Sequence, residues 1–205
     1  MFRIFCVLIG YALGMLQSAY FLGRVVGKID IREFGSGNAG FTNATRVLGK
    51  KVGALVFLFD FLKVIVAFLI CSFVFKEAGK VAGLYAGLGA VLGHNFPFYL
   101  GFRGGKGIAC TLGLMLFFNW QIALITYGIG FIVFMAKKYI SLSSLTMTLI
   151  YPIIMVILKG KFGFSIEEIL LMCLLCILAF IKHKTNIERL LKGNENKFGS
   201  KKKEN

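Results

Sequence analysis

The sequence predicts an all-α polytopic membrane protein, a seven-transmembrane-helix bundle. Two bulk observations and one pattern carry that reading. Hydrophobic residues make up 58% of the 205 residues. Mean hydropathy is +0.80, far above that of soluble domains. Apolar runs recur from end to end, separated by short polar or basic breaks. Residues 1–192 make one membrane domain, and the polar, basic tail 193–205 reads as disordered. The net charge of +15 sits largely beside the apolar runs. An anionic membrane surface explains it there, so no nucleic-acid partner is implied.

Ile4 to Leu22 is long enough to cross ~30 Å of hydrocarbon at ~1.5 Å per residue. It runs on to Arg24 with no small-residue cleavage site, so it reads as a retained anchor. A polar loop follows. Val52 to Phe75 is the second span, and Lys76 to Lys80 a turn. Val81 to about Leu100 is the third span, followed by a second polar stretch. Ile108 to Phe118 is apolar but too short to cross unaided. Asn119-Trp120-Gln121 reads as an interfacial break, with Trp120 at the headgroup level. Ile122 to Ala136, Leu142 to Leu158 and Ile166 to Ile181 complete the set. A re-entrant Ile108–Phe118, with the next segment returning beside it, would leave five crossings.

Lysine and arginine crowd the first loop, the Arg103–Lys106 stretch, Lys137-Lys138 and the tail. Only Arg3, Lys76, Lys80, Lys159 and Lys161 fall on the other side, with Lys63 inside the second span. The positive-inside rule then puts the N-terminus outside and the C-terminus in the cytoplasm. Three polar stretches are thereby expected to converge on the cytoplasmic face.

The first, Gly35 to Arg46, is a glycine-studded loop whose backbone N–H groups suit an anion nest. Ser36, Asn38, Thr42 and Asn43 add side-chain donors, and Arg46 adds a planar fork for phosphate. The second is His94-Asn95-Phe96-Pro97, then Gly104-Gly105-Lys106-Gly107 leading into an apolar helix. Glycines and a lysine before a helix start make a phosphate cradle. It is not a Walker A loop, because Gly107 stands where serine or threonine belongs. In the third stretch, His183 and Asn186 share a face if the last helix continues, with Arg189 beside them and Glu188 pointing elsewhere.

Asp60 and Lys63 lie inside the second span, three residues apart, and read as a structural ion pair facing the bundle interior. Cys6, Cys71, Cys110, Cys173 and Cys176 all lie in apolar segments and read as buried small residues. The Cys173–Cys176 spacing has neither a second pair nor a nearby histidine to complete a metal site.

The order Gly-Ser-Gly-Asn-x-Gly-x-Thr-Asn-x-x-Arg (Gly35–Arg46), then His94 to Gly107, then His183 to Glu195, resembles the bacterial acyl-phosphate:glycerol-3-phosphate acyltransferases, the PlsY family. The likeness covers nearly the whole chain and includes Asp60 with Lys63. Phe41, Val64 and Cys110 depart from the family pattern, at positions without an assigned chemical role. The resemblance implies acyl transfer from acyl-phosphate to the 1-hydroxyl of sn-glycerol 3-phosphate, giving lysophosphatidate and phosphate, the first step of phospholipid synthesis. It implies Ser36, Lys106, His183 and Asn186 as catalytic residues. Gly37, Asn38, Thr42, Asn43, Arg46, His94, Gly104, Gly105, Gly107, Ser144 and Glu188 would bind substrate. No cofactor or metal is expected. The implied setting is a bacterial inner membrane with a cytoplasmic active site, supplied by an enzyme that makes acyl-phosphate.

Acyl-phosphate is a mixed anhydride with a good leaving group, so positioning and charge stabilisation suffice. The His-x4-Asp dyad of thioester-using acyltransferases is absent, since position 99 is Tyr99 and position 188 is Glu188. The hydroxyl is then activated by His183 or by a substrate phosphate oxygen. A multi-span transporter of a small anion is the alternative. It predicts an internal repeat and polar groups on both faces, and neither is present in the sequence. A membrane scaffold leaves the anion loops unexplained. A phosphatidyl-alcohol transferase would need an aspartate cluster, and the chain has only Asp30 and Asp60.

Overall fold

The computed structural model describes residues 1–199. It divides into two compact units, 1–119 and 120–199 within the described range, and each is taken by itself.

In the first unit, α1 (Phe2–Gly14) and α2 (Ser18–Leu22) form one apolar stretch that ends in a π-turn at Gly23–Gly27. Then come α3 (Phe41–Leu48), α4 (Lys50–Val74), α5 (Lys80–Asn95) and α6 (Ile108–Phe118). α1 lies on α5 with backbones nearly touching. A Cβ on Gly10 or Gly14 would strike the Ala86 or Ala90 carbonyl, and one on Gly89 or Gly93 would strike those of Val7 or Tyr11. Lipid offers no hydrophobic drive between helices, so small residues that permit close backbone approach hold the pair. α4 packs on α5 and α6, with Val56, Val64, Ala67 and Phe68 buried.

The first span is not one continuous helix. The ladder lapses at Met15–Gln17, where side chains elsewhere take the freed carbonyls: Tyr99 Oη donates to Met15 O (2.7 Å) and Lys63 Nζ to Leu16 O (2.8 Å). Broken helices survive in a membrane only with such compensation. The third span also stops short of Leu100, at Asn95. Phe96 precedes Pro97 and leaves helical geometry (φ −137°, ψ 58°), Pro97 is extended, and Phe98–Leu100 then forms a single 3-10 turn.

In the second unit, α7 (Trp120–Lys137) and α8 (Ile140–Ile157) form a tight pair, with Ser143 Oγ donating to Gly130 O (2.7 Å). A short α9 (Lys159–Phe162) leads to α10 (Ile166–Lys182), which packs on α8. α10 opens with a capping box. The Glu168 N–H donates to Ser165 Oγ (3.2 Å), and the Ser165 N–H donates to the Glu168 carboxylate (2.8 Å). α11 (Lys184–Leu191) follows.

Among the described residues, four helical stretches are long and apolar enough to cross a membrane: Phe2–Gly27, Lys50–Val74, Trp120–Lys137 and Ile140–Ile157. α5 and α10 have 16 and 17 residues, so each is ~24–26 Å long. The expectation of disorder from 193 does not describe residues 193–199. Glu195 is held there by three side chains, and the Phe198 N–H donates to Lys138 O (2.8 Å). Residues 200–205 of that tail lie outside the described residues.

Candidate active site

In the first loop the fixed point is a buried carboxylate. Asp30 accepts the Arg32 guanidinium on both oxygens (3.0 and 2.7 Å), the Arg32 N–H (3.0 Å) and Arg24 Nη2 (3.3 Å). The Arg32 guanidinium above all holds the Asp30 carboxyl below its usual range. Arg32 Nη1 also donates to Leu100 O (2.9 Å), tying the loop to the turn after α5.

Asn43 then sets the shape of the glycine stretch. Its amide donates to Ile31 O and Phe34 O (3.1 and 3.0 Å), and its Oδ1 accepts the Ser36 N–H (2.8 Å). Gly35 sits at φ +65°, and a Cβ there would strike Asn43 Oδ1. Asn43 is 1% exposed. Its side-chain amide is engaged with the backbone of the loop. Ser36, Gly37 and Arg46 are exposed, and Asn38 and Thr42 are half-buried.

The second stretch is built onto the end of α5. The Gly104 N–H donates to Asn95 O (3.3 Å) and the Gly105 N–H to His94 O (3.1 Å). Their amides are therefore engaged with α5, contrary to the expectation that they cradle phosphate. Both residues are glycine because of close approach. A Cβ on Gly104 would strike His94 O, and one on Gly105 would strike His94 Nε2 and lie 2.6 Å from Ala39 O. Gly107, at φ +75°, ends the loop as the N-cap of α6, so the first amides of α6 have no intrahelical acceptor. The anion-binding parts left are Lys106 and that helix terminus. Ala39 against Gly105 places the first two polar stretches side by side within the first unit.

His94, near the end of α5, is 3% exposed, and its Nδ1 lies 3.0 Å from Lys63 Nζ. Lys63 pairs with Asp60 (2.8 Å), as the spacing predicts. Asp60, His94 and Cys110 bring their ligand atoms within 4.8 Å of one another. The Lys63 ammonium already bonds two of the three, and a cation there repels a metal ion, so this donor set fits an ion pair instead. The three departures from the family pattern serve packing. Phe41 meets Phe57 edge to face (5.6 Å), and Val64 and Cys110 are fully buried.

The second unit holds the remaining residues. His183 ends α10 and begins α11 with non-helical geometry, so the last helix does not run on unbroken. The turn still brings His183 and Asn186 together, with the Asn186 N–H donating to His183 O (2.8 Å). His183 Nδ1 lies 2.7 Å from Ala179 O. A carbonyl only accepts, so Nδ1 carries the proton and Nε2 is the basic nitrogen. Glu195, quoted in the sequence motif but given no role there, organises this half. It accepts Ser141 Oγ (3.0 Å), Asn186 Nδ2 (2.8 Å) and Arg189 Nε (2.7 Å). Burial raises its carboxyl, but these hydrogen bonds outweigh burial and leave it below the ordinary range. Ser144 is buried and donates to Ile140 O of its own helix (2.8 Å), which leaves its hydroxyl as an acceptor only. Glu188 is exposed.

Comparison with known proteins places this arrangement. A family model described as glycerol-3-phosphate acyltransferase matches residues 4–193. The chain is 40% identical to the glycerol-3-phosphate acyltransferase of Thermoanaerobacter pseudethanolicus over 201 residues, covering 98% of each chain. It is 40% identical to that of Clostridioides difficile over 202 residues, covering 97% of each. Crystal structures of PlsY, an integral membrane glycerol 3-phosphate acyltransferase, are similar throughout. The glycerol 3-phosphate form has a TM-score of 0.86 at 34% identity, covering 96% of both chains. The lysophosphatidic acid form has a TM-score of 0.83 at 34% identity, covering 96% of this chain and 95% of that one.

Proposed function

The chain belongs to the glycerol-3-phosphate acyltransferase family, and from that premise we propose that it transfers a fatty acyl group from acyl-phosphate to the 1-hydroxyl of sn-glycerol 3-phosphate. The products are 1-acylglycerol 3-phosphate, which is lysophosphatidate, and inorganic phosphate. The observation that carries the reading is the packing of Ala39 against Gly105. It brings the exposed Ser36 and Arg46 loop beside Lys106 and the α6 N-terminus, an arrangement suited to phosphate.

The hydroxyl oxygen attacks the carbonyl carbon, the bond from that carbon to the phosphate oxygen breaks, and phosphate leaves with its electron pair. The hydroxyl proton passes to His183 Nε2 or to a phosphate oxygen. Arg46 and Lys106 offset the phosphate charge, while Ser36 and Asn186 orient the glycerol moiety. Gly37, Asn38, Thr42 and Gly107 of the first unit, and Ser144 of the second, are the other residues assigned to substrate. Asn43, His94, Gly104 and Gly105 support the two loops of the first unit, and Glu188 lies on an exposed face of α11.

The distribution of lysine and arginine supports seven crossings, an outer N-terminus, and the site on the cytoplasmic side of a bacterial inner membrane. An acyl-phosphate-producing enzyme is then the natural supplier of the donor. The test is purified protein with labelled glycerol 3-phosphate. Acyl-phosphate is expected to support turnover and acyl-CoA is not; robust acyl-CoA-dependent transfer would overturn the donor assignment.

A further inference from the structure

The break between α1 and α2 lies beside a buried charge cluster that the reaction does not use directly. Lys63 Nζ is at its centre, 2.8 Å from Leu16 O, 2.8 Å from Asp60 Oδ1 and 3.0 Å from His94 Nδ1. An ammonium donates to Leu16 O and Asp60 Oδ1. His94 Nδ1 faces both charged partners, since it also lies 3.5 Å from Asp60 Oδ1. Asp60 Oδ1 also accepts Ser18 Oγ (2.9 Å) from the first turn of α2.

His94 faces the loop as well. Its carbonyl accepts Gln17 Nε2 (2.9 Å) and the Gly105 N–H (3.1 Å). Its ring edge occupies the space that a side chain on Gly105 would need. Contacts therefore run from the helix break through Lys63 and His94 to Gly105, and the next residue is Lys106.

We propose that Asp60, Lys63, His94 and Gln17 are positioning residues that set Lys106, tying the phosphate loop to the break in the first membrane helix. This rests on the reading of Lys106 as a phosphate ligand. The cluster is buried within the protein, and its two charges compensate one another. Removing one alone strands the other and costs folding. Two gentler changes avoid that. Asp60→Asn with Lys63→Gln neutralises both charges together. Gln17→Met removes one donor on the His94 carbonyl, together with a buried Oε1 that has no partner.

The experiment measures kcat and both KM values for the full chain in nanodiscs, for each variant alone and combined with Lys106→Ala. Orthophosphate-induced shifts in Tm are measured in parallel. Gln17→Met is expected to raise the KM of the substrate affected by Lys106→Ala by about two- to tenfold, the range of one buried hydrogen bond. The neutral pair should raise it further. Neither should add to the effect of Lys106→Ala, because coupled residues are non-additive. The Tm shift by orthophosphate should shrink in both variants and vanish in Lys106→Ala. Folded variants with lower Tm but wild-type KM and an unchanged phosphate shift would overturn the proposal, as would effects that multiply with Lys106→Ala. If wild-type protein transfers no acyl group, the acyltransferase reading fails separately, and the phosphate shifts still decide this one.

Discussion

Arg46 and Lys106 carry positive charge in different forms, and substitution should distinguish them. Arg46 is exposed on the last turn of α3 and offers two parallel N–H donors. Arg46→Lys keeps the charge but loses the fork, so kcat/KM is expected to fall about tenfold or more, the worth of one charge-assisted hydrogen bond. Arg46→Ala should fall further, and Lys106→Ala should also be impaired. Steady-state kinetics with folded protein checks this. Near-wild-type values in all three would mean that the loops are only connectors.

His183 permits a second test at this scale. Ala179 O fixes its tautomer, leaving Nε2 as the one basic nitrogen. If Nε2 takes the hydroxyl proton, the acidic limb of the pH–rate profile reports the histidine, and His183→Asn is inactive at every pH. If a substrate phosphate is the base, His183→Asn retains a slow rate that no longer shows that limb.

At the scale of elements, α11 is tied to α8 by the segment that follows it. Glu195 links Ser141 of α8 to Asn186 and Arg189 of α11. Phe198 packs edge to face on Phe134 of α7 (5.9 Å). Glu195→Gln removes the charge that Arg189 pairs with, so hydrogen exchange across 193–199 is expected to speed up severalfold and kcat to drop with Asn186 unanchored. The same contact predicts a pH dependence. The folded-state carboxyl lies below its ordinary value of 4.5, so its stabilisation is complete above about pH 4.5 and is lost as pH falls through the lower folded value. Exchange in this segment should rise on acidification below that point in wild type but not in Glu195→Gln. A flat wild-type response would show that the carboxylate does not hold the segment.

For the whole molecule, the charge distribution makes a topological prediction. Position 36 and a cysteine added at the C-terminus should be labelled from the cytoplasmic side, and one beside Met1 from outside. Four of the five native cysteines are buried, which limits background from membrane-impermeant thiol reagents. Outer-face labelling of position 36 would reverse the assignment and move the acceptor site away from cytoplasmic glycerol 3-phosphate. The alternation of apolar runs and basic breaks makes this prediction possible without coordinates, because hydropathy and charge act on membrane insertion segment by segment.

Sequence alone determined the helical membrane class, the approximate element boundaries, the Asp60–Lys63 pair and the family. Each of these depends on local patterns: runs of apolar residues, an i, i+3 spacing, or an ordered motif. Ile108–Phe118 emerged with the bounds that its composition set, because flanking glycine and asparagine end it chemically. Tertiary structure alone decided which protein groups the polar residues bond. Asn43 holds the Ile31 and Phe34 carbonyls, His94 meets Lys63, and the Gly104 and Gly105 amides donate to the end of α5. The break at Met15–Gln17 was equally hidden, because what allows it is Lys63 and Tyr99 arriving from elsewhere in the chain. The physical reason is the same in each case. A polar group in an apolar protein must find a partner, and its type reveals the need but not whether protein or substrate meets it.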